Sequence, residues 1–342
     1  MGESQLYLIS GSILIVLVMV DVVWTTLTTQ GSGPITRLMT AGAAGLSRVV
    51  LSVAGRRAML APIGPGALVL LGTTWLLTLW LGWSLLFGAF PTGIVNSQSG
   101  DAASLAERVY FIGFTLSTLG VGDFKPSGEI PMLLTVVAAF NGLVLVTLFI
   151  TYAVPLVQAV IMRRKVAFTV SLLGANPQEM AWAAWQEGNR QAFEDELQTI
   201  SEDVMQCCEQ RLAYPMLDLF YAKWECFSLG LQVAILDEAL SILEFGLQPN
   251  YRFRSLNFSK ARKVLAHYLR RVELPNEKPH LITPPVSDTD ALQKLAVPIT
   301  NNKVDAFQPL AERRARLHAL AHKEGWDWNT VESAGGTWPP TA

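Results

Sequence analysis

Residues 67–90 form a run with no charged side chain, long enough to cross the roughly 30 Å hydrocarbon core of a bilayer. Hydrocarbon offers the backbone no partner, so such a run must satisfy its own N–H and C=O groups, and a helix is the form that does so within one segment. Residues 130–161 are equally uncharged and long enough to continue past the bilayer at one end. Residues 6–27 make a third run, interrupted by Asp21 and a few small polar residues. Its leading Met-Gly-Glu-Ser carries no basic side chain, so it reads as a retained span and not a cleaved leader.

The charge distribution sharpens this reading. Overall 51% of residues are hydrophobic and 16% charged, with mean hydropathy +0.32. Residues 1–165 hold only 9 of the 26 Lys and Arg and 6 of the 28 Asp and Glu, which makes the first half membrane and the second a water-exposed domain. A net charge of −2 leaves no basic surplus to neutralise phosphates, which excludes a nucleic-acid partner. Cys207, Cys208 and Cys226 are odd in number and clustered, so they read as reduced core residues.

Basic flanks set the orientation. Residues 31–66 carry Arg37, Arg48, Arg56 and Arg57 with no acid, and Arg163, Arg164 and Lys165 follow the third span. Placing both clusters in the cytoplasm puts the amino terminus outside a multi-pass cell-membrane protein and residues 166–342 in the cytosol. Residues 35–60 are apolar but broken by arginines too often to span, and read as an interfacial amphipathic helix.

Residues 91–129 are then external. A turn-rich stretch leads into the apolar segment 109–117, too short to cross a bilayer, and then into Thr118-Leu119-Gly120-Val121-Gly122-Asp123. Irregular backbone at membrane depth is tolerated where it is buried in protein or lines a water-filled path. Gly120 and Gly122 can adopt positive φ, which lets successive carbonyls turn to one side. Stacked carbonyls and a Thr hydroxyl replace the hydration shell of a monovalent cation. One chain supplies one wall, so a closed pore requires further copies around an axis.

In these residues the sequence resembles the pore domain of the potassium-channel superfamily, over about residues 67–162: outer helix, re-entrant pore helix, a filter of the T-x-G-Y-G-D type, inner helix. The resemblance implies a pore helix and selectivity filter between the second and third spans; with the first span and the helical cytosolic half read from the residues, the expected fold is an all-α membrane protein with three transmembrane helices and a helical cytosolic domain. It implies that Thr118, Leu119, Gly120 and Val121 coordinate permeant potassium, that Gly122 and Asp123 form the outer mouth, and that three further copies complete a homotetramer. Gly142 stands where such channels commonly place a hinge glycine. Val121 replaces the usual Tyr or Phe brace, Tyr110 and Phe111 replace a tryptophan pair, and Phe114 stands where some relatives place an acid behind the filter. The missing brace leaves a non-selective monovalent cation pore as the alternative, with a non-conducting scaffold or sensor as the other.

Further expectations concern single residues. Asp21 is an ionisable group within a span, within reach of an arginine of 31–66 or the hydroxyls of Thr73, Thr74 or Thr78. Pro155 removes a helix donor, which suggests a gate near Thr151, Tyr152 and Pro155. No span carries the regularly spaced arginines of a voltage sensor. The division expected is a first span at 1–30, an interfacial segment at 31–66, the pore domain at 67–162, a helical domain at 163–274, and a Pro-containing linker, helix and irregular tail at 275–342. His318 and His322 are four apart but lack a third ligand, so no metal site is expected. No enzyme constellation, nucleotide fingerprint or cofactor motif emerges, and the stimulus acting on the cytosolic half is unassigned.

Overall fold

The structure is a computed structural model that describes residues 2–29, 31–54, 59–271, 282–287 and 289–333. It is predominantly helical and divides into two compact units. One comprises residues 1–48, 62–157 and 212–219; the other comprises 49–61, 158–211 and 220–342.

The first unit begins with α1 (Glu3–Leu27), followed by α2 (Pro34–Ala54) as far as Arg48, and α3 (Ile63–Gly88). Among the described residues, helices α1, α3 and the later α5 (Glu129–Ser171) are the three long and apolar enough to cross a membrane. α3 starts at Ile63, before the uncharged run, because Pro62 and Pro65 suit a first helical turn where no backbone donor is needed. α5 has 43 residues, roughly 65 Å at helical rise, and continues through Gly142 and Pro155 without a break.

Antiparallel packing of α1 on α3 is close because small residues face each other. A methyl group added at Gly11 would lie 2.6 Å from the Leu86 backbone nitrogen, and one at Gly82 would lie 2.9 Å from Ile15. Val18, Val22, Leu71, Trp75 and Leu79 are buried along this seam, while the remaining faces of α1 stay apolar and exposed.

Between α3 and α5 lie β1 (Ile94–Asn96), α4 (Leu105–Leu116) and β2 (Phe124–Pro126). The strands pair antiparallel, Ile94 opposite Pro126 and Asn96 opposite Phe124. An all-α reading misses this hairpin, whose strands have 3 residues each, too short to show an alternating pattern. It joins the two ends of the loop that carries the filter-like sequence.

The second unit contains the end of α5, α6 (Pro177–Trp185), most of α7 (Asn189–Ala213), α8 (Leu229–Ser241), α9 (Leu256–Arg271), α10 (Asp290–Lys294), α11 (Lys303–Phe307), α12 (Ala311–Lys323) and α13 (Trp328–Glu332). Asn176 caps α6 through its side chain, as its position before Pro177 predicts. α8 is buried on all sides, including Asp237 and Glu238, and is the central helix of the second unit; it is not among the helices long and apolar enough to cross a membrane. Two expectations for the end of the chain are corrected. Residues 284 and 285 lend their carbonyls to the buried Arg314 guanidinium, so this part of the proline-rich stretch is packed and not a loose linker. The Trp-rich tail is helical from Trp328 to Glu332, with Trp328 and Val331 buried. Residues 272–281 of the linker and 334–342 of the tail lie outside the described residues.

Candidate functional site

The site is the loop from α4 to β2, and its geometry starts with the helix cap. Ser104 accepts from the Glu107 backbone N–H while the Glu107 carboxylate accepts from the Ser104 N–H, a reciprocal capping box that fixes where α4 begins. The Ser-x-x-Glu spacing was readable in the sequence, although it was not singled out there. Trp80 on α3 donates its indole N–H to the Val109 carbonyl at 2.9 Å, and Phe87 meets Phe111 edge-on. At the other end of α4, Gly142 lies so close that an added methyl would sit 2.0 Å from the Leu116 carbonyl oxygen. In this conformation Gly142 is a packing contact against the C-terminal end of α4.

The chain leaves α4 in an unusual backbone. Leu119 N–H returns to the Phe114 carbonyl at 2.9 Å and Thr118 N–H to Thr115 at 3.1 Å, closing the helix end. Thr118, Gly120 and Gly122 then have φ of +58°, +60° and +87°, whereas Leu119 and Val121 between them stay negative. Alternating the sign of φ turns successive peptide groups the same way, N–H to one side and C=O to the other. Glycine takes such angles freely, but a β-branched threonine does not, so Thr118 holds backbone strain of about 1–3 kcal/mol. Nothing lies within 4 Å of where a methyl would stand on Gly120 or Gly122, so the demand for glycine there is conformational and not steric. In the single chain Leu119 is 71% and Val121 49% exposed.

Asp123 closes the segment. Its carboxylate accepts from the Phe124 N–H at 3.1 Å, and its backbone carbonyl accepts from Ser97. Phe114 offers it no acid, as the sequence predicts, but the Tyr110 phenol lies near enough to the Asp123 carboxylate to feel its charge. The tyrosine hydroxyl is a donor that aromatic bulk alone would lack.

Asp21 lies elsewhere, and its expected partners are corrected. Its carboxylate is fully buried and takes no arginine among the described residues. One oxygen accepts from the Ile35 N–H at 2.7 Å and the Thr36 N–H at 3.4 Å. The other accepts from the Thr36 hydroxyl and the Trp75 indole, both at 2.8 Å. The hydroxyls of Thr73 and Thr78 bond carbonyls of their own helix, and Arg37 reaches the Ser32 carbonyl. Asp21 is therefore a remote cap for α2, with charge matched to the helix dipole. Gly33 is required beside it, since a methyl there would meet the carboxylate at 2.1 Å.

Of the gating candidates, Tyr152 is buried within the first unit, with its hydroxyl unpartnered, and its ring meets Tyr214 edge-on at 5.6 Å. Tyr214 belongs to residues 212–219, whose turn Pro215–Leu219 packs along α3. Thr151 is exposed and bonds the Thr147 carbonyl. In the second unit, Arg163 on α5 pairs with Glu324 at 3.1 Å, and the same carboxylate accepts from Ser228 and from the Gly230 N–H at the start of α8. Asp237 meets Arg262 and Arg313, and Glu238 meets Arg314. Burial opposes ionisation of both acids. At Asp237 the two guanidiniums win and hold the carboxyl below its usual range, while burial pushes Glu238 above it. Burial likewise raises the Cys207 thiol to about 12 and Cys208 to about 11, as inert core residues should behave. His318 packs on Trp328, and no cluster of three or more His, Cys, Asp or Glu side chains placed to hold a metal ion occurs among the described residues.

Comparison with known proteins bears on the same region. A family model described as an ion channel matches residues 73–159, which contain α4, Thr118–Asp123 and the contacting parts of α3 and α5. The uncharacterized membrane protein YdjJ of Bacillus subtilis (strain 168) is 30% identical over 334 residues, 96% of this chain and 97% of its own. No solved structure matches the chain. With a pore-domain match between its second and third apolar helices and a membrane-protein relative along nearly its whole length, the chain belongs to the ion-channel family, with a pore domain of the two-helix, potassium-channel-like type.

Proposed function

We propose that the chain conducts potassium passively across the cell membrane as a homotetramer, with the amino terminus outside and residues 166–342 in the cytosol. The observation that carries this reading is the alternating sign of φ over Thr118–Gly122, a backbone whose carbonyls, turned to one side, would suit dehydrated monovalent cations. Leu119 and Val121 exposed in a single chain, on a strained segment without a facing wall, favour assembly around an axis. In a tetramer the carbonyls of Thr118, Leu119, Gly120 and Val121, with the Thr118 hydroxyl, coordinate the ion, and Gly122 and Asp123 form the mouth. Permeation needs no cofactor and no chemistry at the protein. With no arginine-bearing span, gating comes from the water-exposed half. Residues 212–219, which continue the chain from α7, touch the third span through Tyr214 on Tyr152, near Thr151 and Pro155, and a ligand or protein acts by binding two positions of this segment unequally.

One observation favours a second reading, a non-selective monovalent cation pore. Val121 is half exposed and carries no group that could brace the segment against α4. The reversal potential of purified protein in planar bilayers, with potassium opposing sodium, separates the two. A shift toward the potassium equilibrium potential that Gly120→Ala abolishes supports the first. A current reversing near zero supports the second, and absence of current in wild type under all voltages and pH values overturns both in favour of a scaffold.

A further inference from the structure

We infer that the arginine face of α2 is a docking surface for anionic phospholipid headgroups. Two observations meet here, one fixing where the helix lies and the other what its open face presents.

Antiparallel α1 and α3 return the chain to the same side of the membrane, so the segment joining them stays there. The Asp21 carboxylate grips the first N–H groups of α2 from a point 6 residues before the end of α1, roughly 9 Å along the helix. α2 therefore starts no farther out than the end of the span and not out in solvent. A helix pinned at that depth lies against the bilayer surface.

Its open face fits that position. Arg37 and Arg48 are separated by 11 residues, about three turns, so they share one face roughly 16 Å apart. Leu38, Leu46 and Val49 are exposed alongside them, at 76%, 56% and 57%, while Thr36 and Ser47 face inward and are buried. Neither guanidinium meets a carboxylate among the described residues: Arg37 reaches the Ser32 carbonyl and Arg48 the Ala44 carbonyl, each at 3.3 Å. No Asp or Glu occurs anywhere from residue 22 to residue 100. Apolar side chains for the acyl boundary, two guanidiniums at its edge and no nearby acid match a surface of phosphate-bearing lipid. Arg56 and Arg57 add to the charge of the segment but lie outside the described residues.

The test uses the full-length protein in detergent, titrated with phosphatidylglycerol or phosphatidylcholine, with bound lipid counted by native mass spectrometry. The wild type should prefer phosphatidylglycerol, and Arg37→Gln with Arg48→Gln should lower that preference by roughly fivefold per arginine. The charge-keeping pair Arg37→Lys with Arg48→Lys should retain most of it, which separates loss of charge from misfolding. Lys125→Gln, in β2, should change nothing. An unaltered preference in the Gln pair overturns the inference. A changed oligomeric state with unaltered lipid preference also overturns it and assigns the face to a second copy of the chain.

Discussion

Replacing Asp21 by Asn should destabilise the membrane unit, and the hydrogen-bond geometry sets how much. The carboxylate accepts from donors on both of its oxygens: Ile35 and Thr36 backbone N–H on one, Thr36 hydroxyl and Trp75 indole on the other. The hydroxyl can reverse, but the backbone and indole N–H groups cannot. An amide has one acceptor and two donors. With its oxygen toward Trp75 it points N–H at Ile35, and with its oxygen toward Ile35 it points N–H at Trp75. Either placement strands a buried donor, at about 1–3 kcal/mol, and also removes the charge that strengthened the remaining bonds. Thermal unfolding of the full-length protein in detergent, followed by tryptophan fluorescence, measures the loss. A cycle with Trp75→Phe should show coupling of about 0.5–3 kcal/mol, since removing the indole donor relieves the conflict. Additive effects in that cycle, or an Asp21→Asn protein as stable as wild type with altered conduction, would refute the capping role and return Asp21 to the transport pathway.

Three other expectations can be checked directly. Gly142→Ala puts a methyl against the Leu116 carbonyl, so it should cost about 1–3 kcal/mol of stability and disturb conduction together; a hinge role alone predicts altered opening with stability unchanged. Asp237→Asn leaves Arg313 without a carboxylate partner and Arg262 with Glu244 alone among the described residues, and should destabilise the second unit by about 3–5 kcal/mol at neutral pH in chemical denaturation. Because the folded Asp237 carboxyl is depressed, its contribution is complete above the unfolded value of about 3.9 and lost as pH falls through the folded one, so the same variant should show a shallower decline on acidification; Glu238, raised by burial, works in the opposite sense and weakens the fold as pH rises through its elevated value. Tyr214→Ala should alter open probability in single-channel records while leaving the reversal potential unmoved, because Tyr214 touches Tyr152 and none of Thr118–Asp123.

The readable parts of this chain were those where one physical constraint dominates locally. Uncharged runs have a single stable form in hydrocarbon, so α3 and α5 could be drawn from composition, and positive φ at Gly120 and Gly122 follows from the residue type. Positive φ at Thr118 does not, since nothing local favours it and the returning Leu119 and Thr118 N–H bonds at the end of α4 accompany it. The hairpin β1–β2 and the helix α13 were hidden because short elements carry too little periodicity, and their stability comes from what they pack against.

Asp21 shows most clearly why chemistry is easier to anticipate than partnership. That a buried carboxylate in a span needs donors follows from its desolvation cost alone. Which donors it takes is decided by the approach of α1 to α3, set by Gly11 and Gly82, and that approach brings Trp75 of α3 to the carboxylate. The same closeness draws the start of α2 to Asp21 and makes Gly33 obligatory beside the carboxylate. Two glycines remote in sequence thus determine that Asp21 serves as a helix cap. It follows that Gly11→Leu, which forces α1 from α3, should abolish the coupling between Asp21 and Trp75 even though it touches neither. Persistence of that coupling would mean that the α1–α3 distance is not what assembles the site.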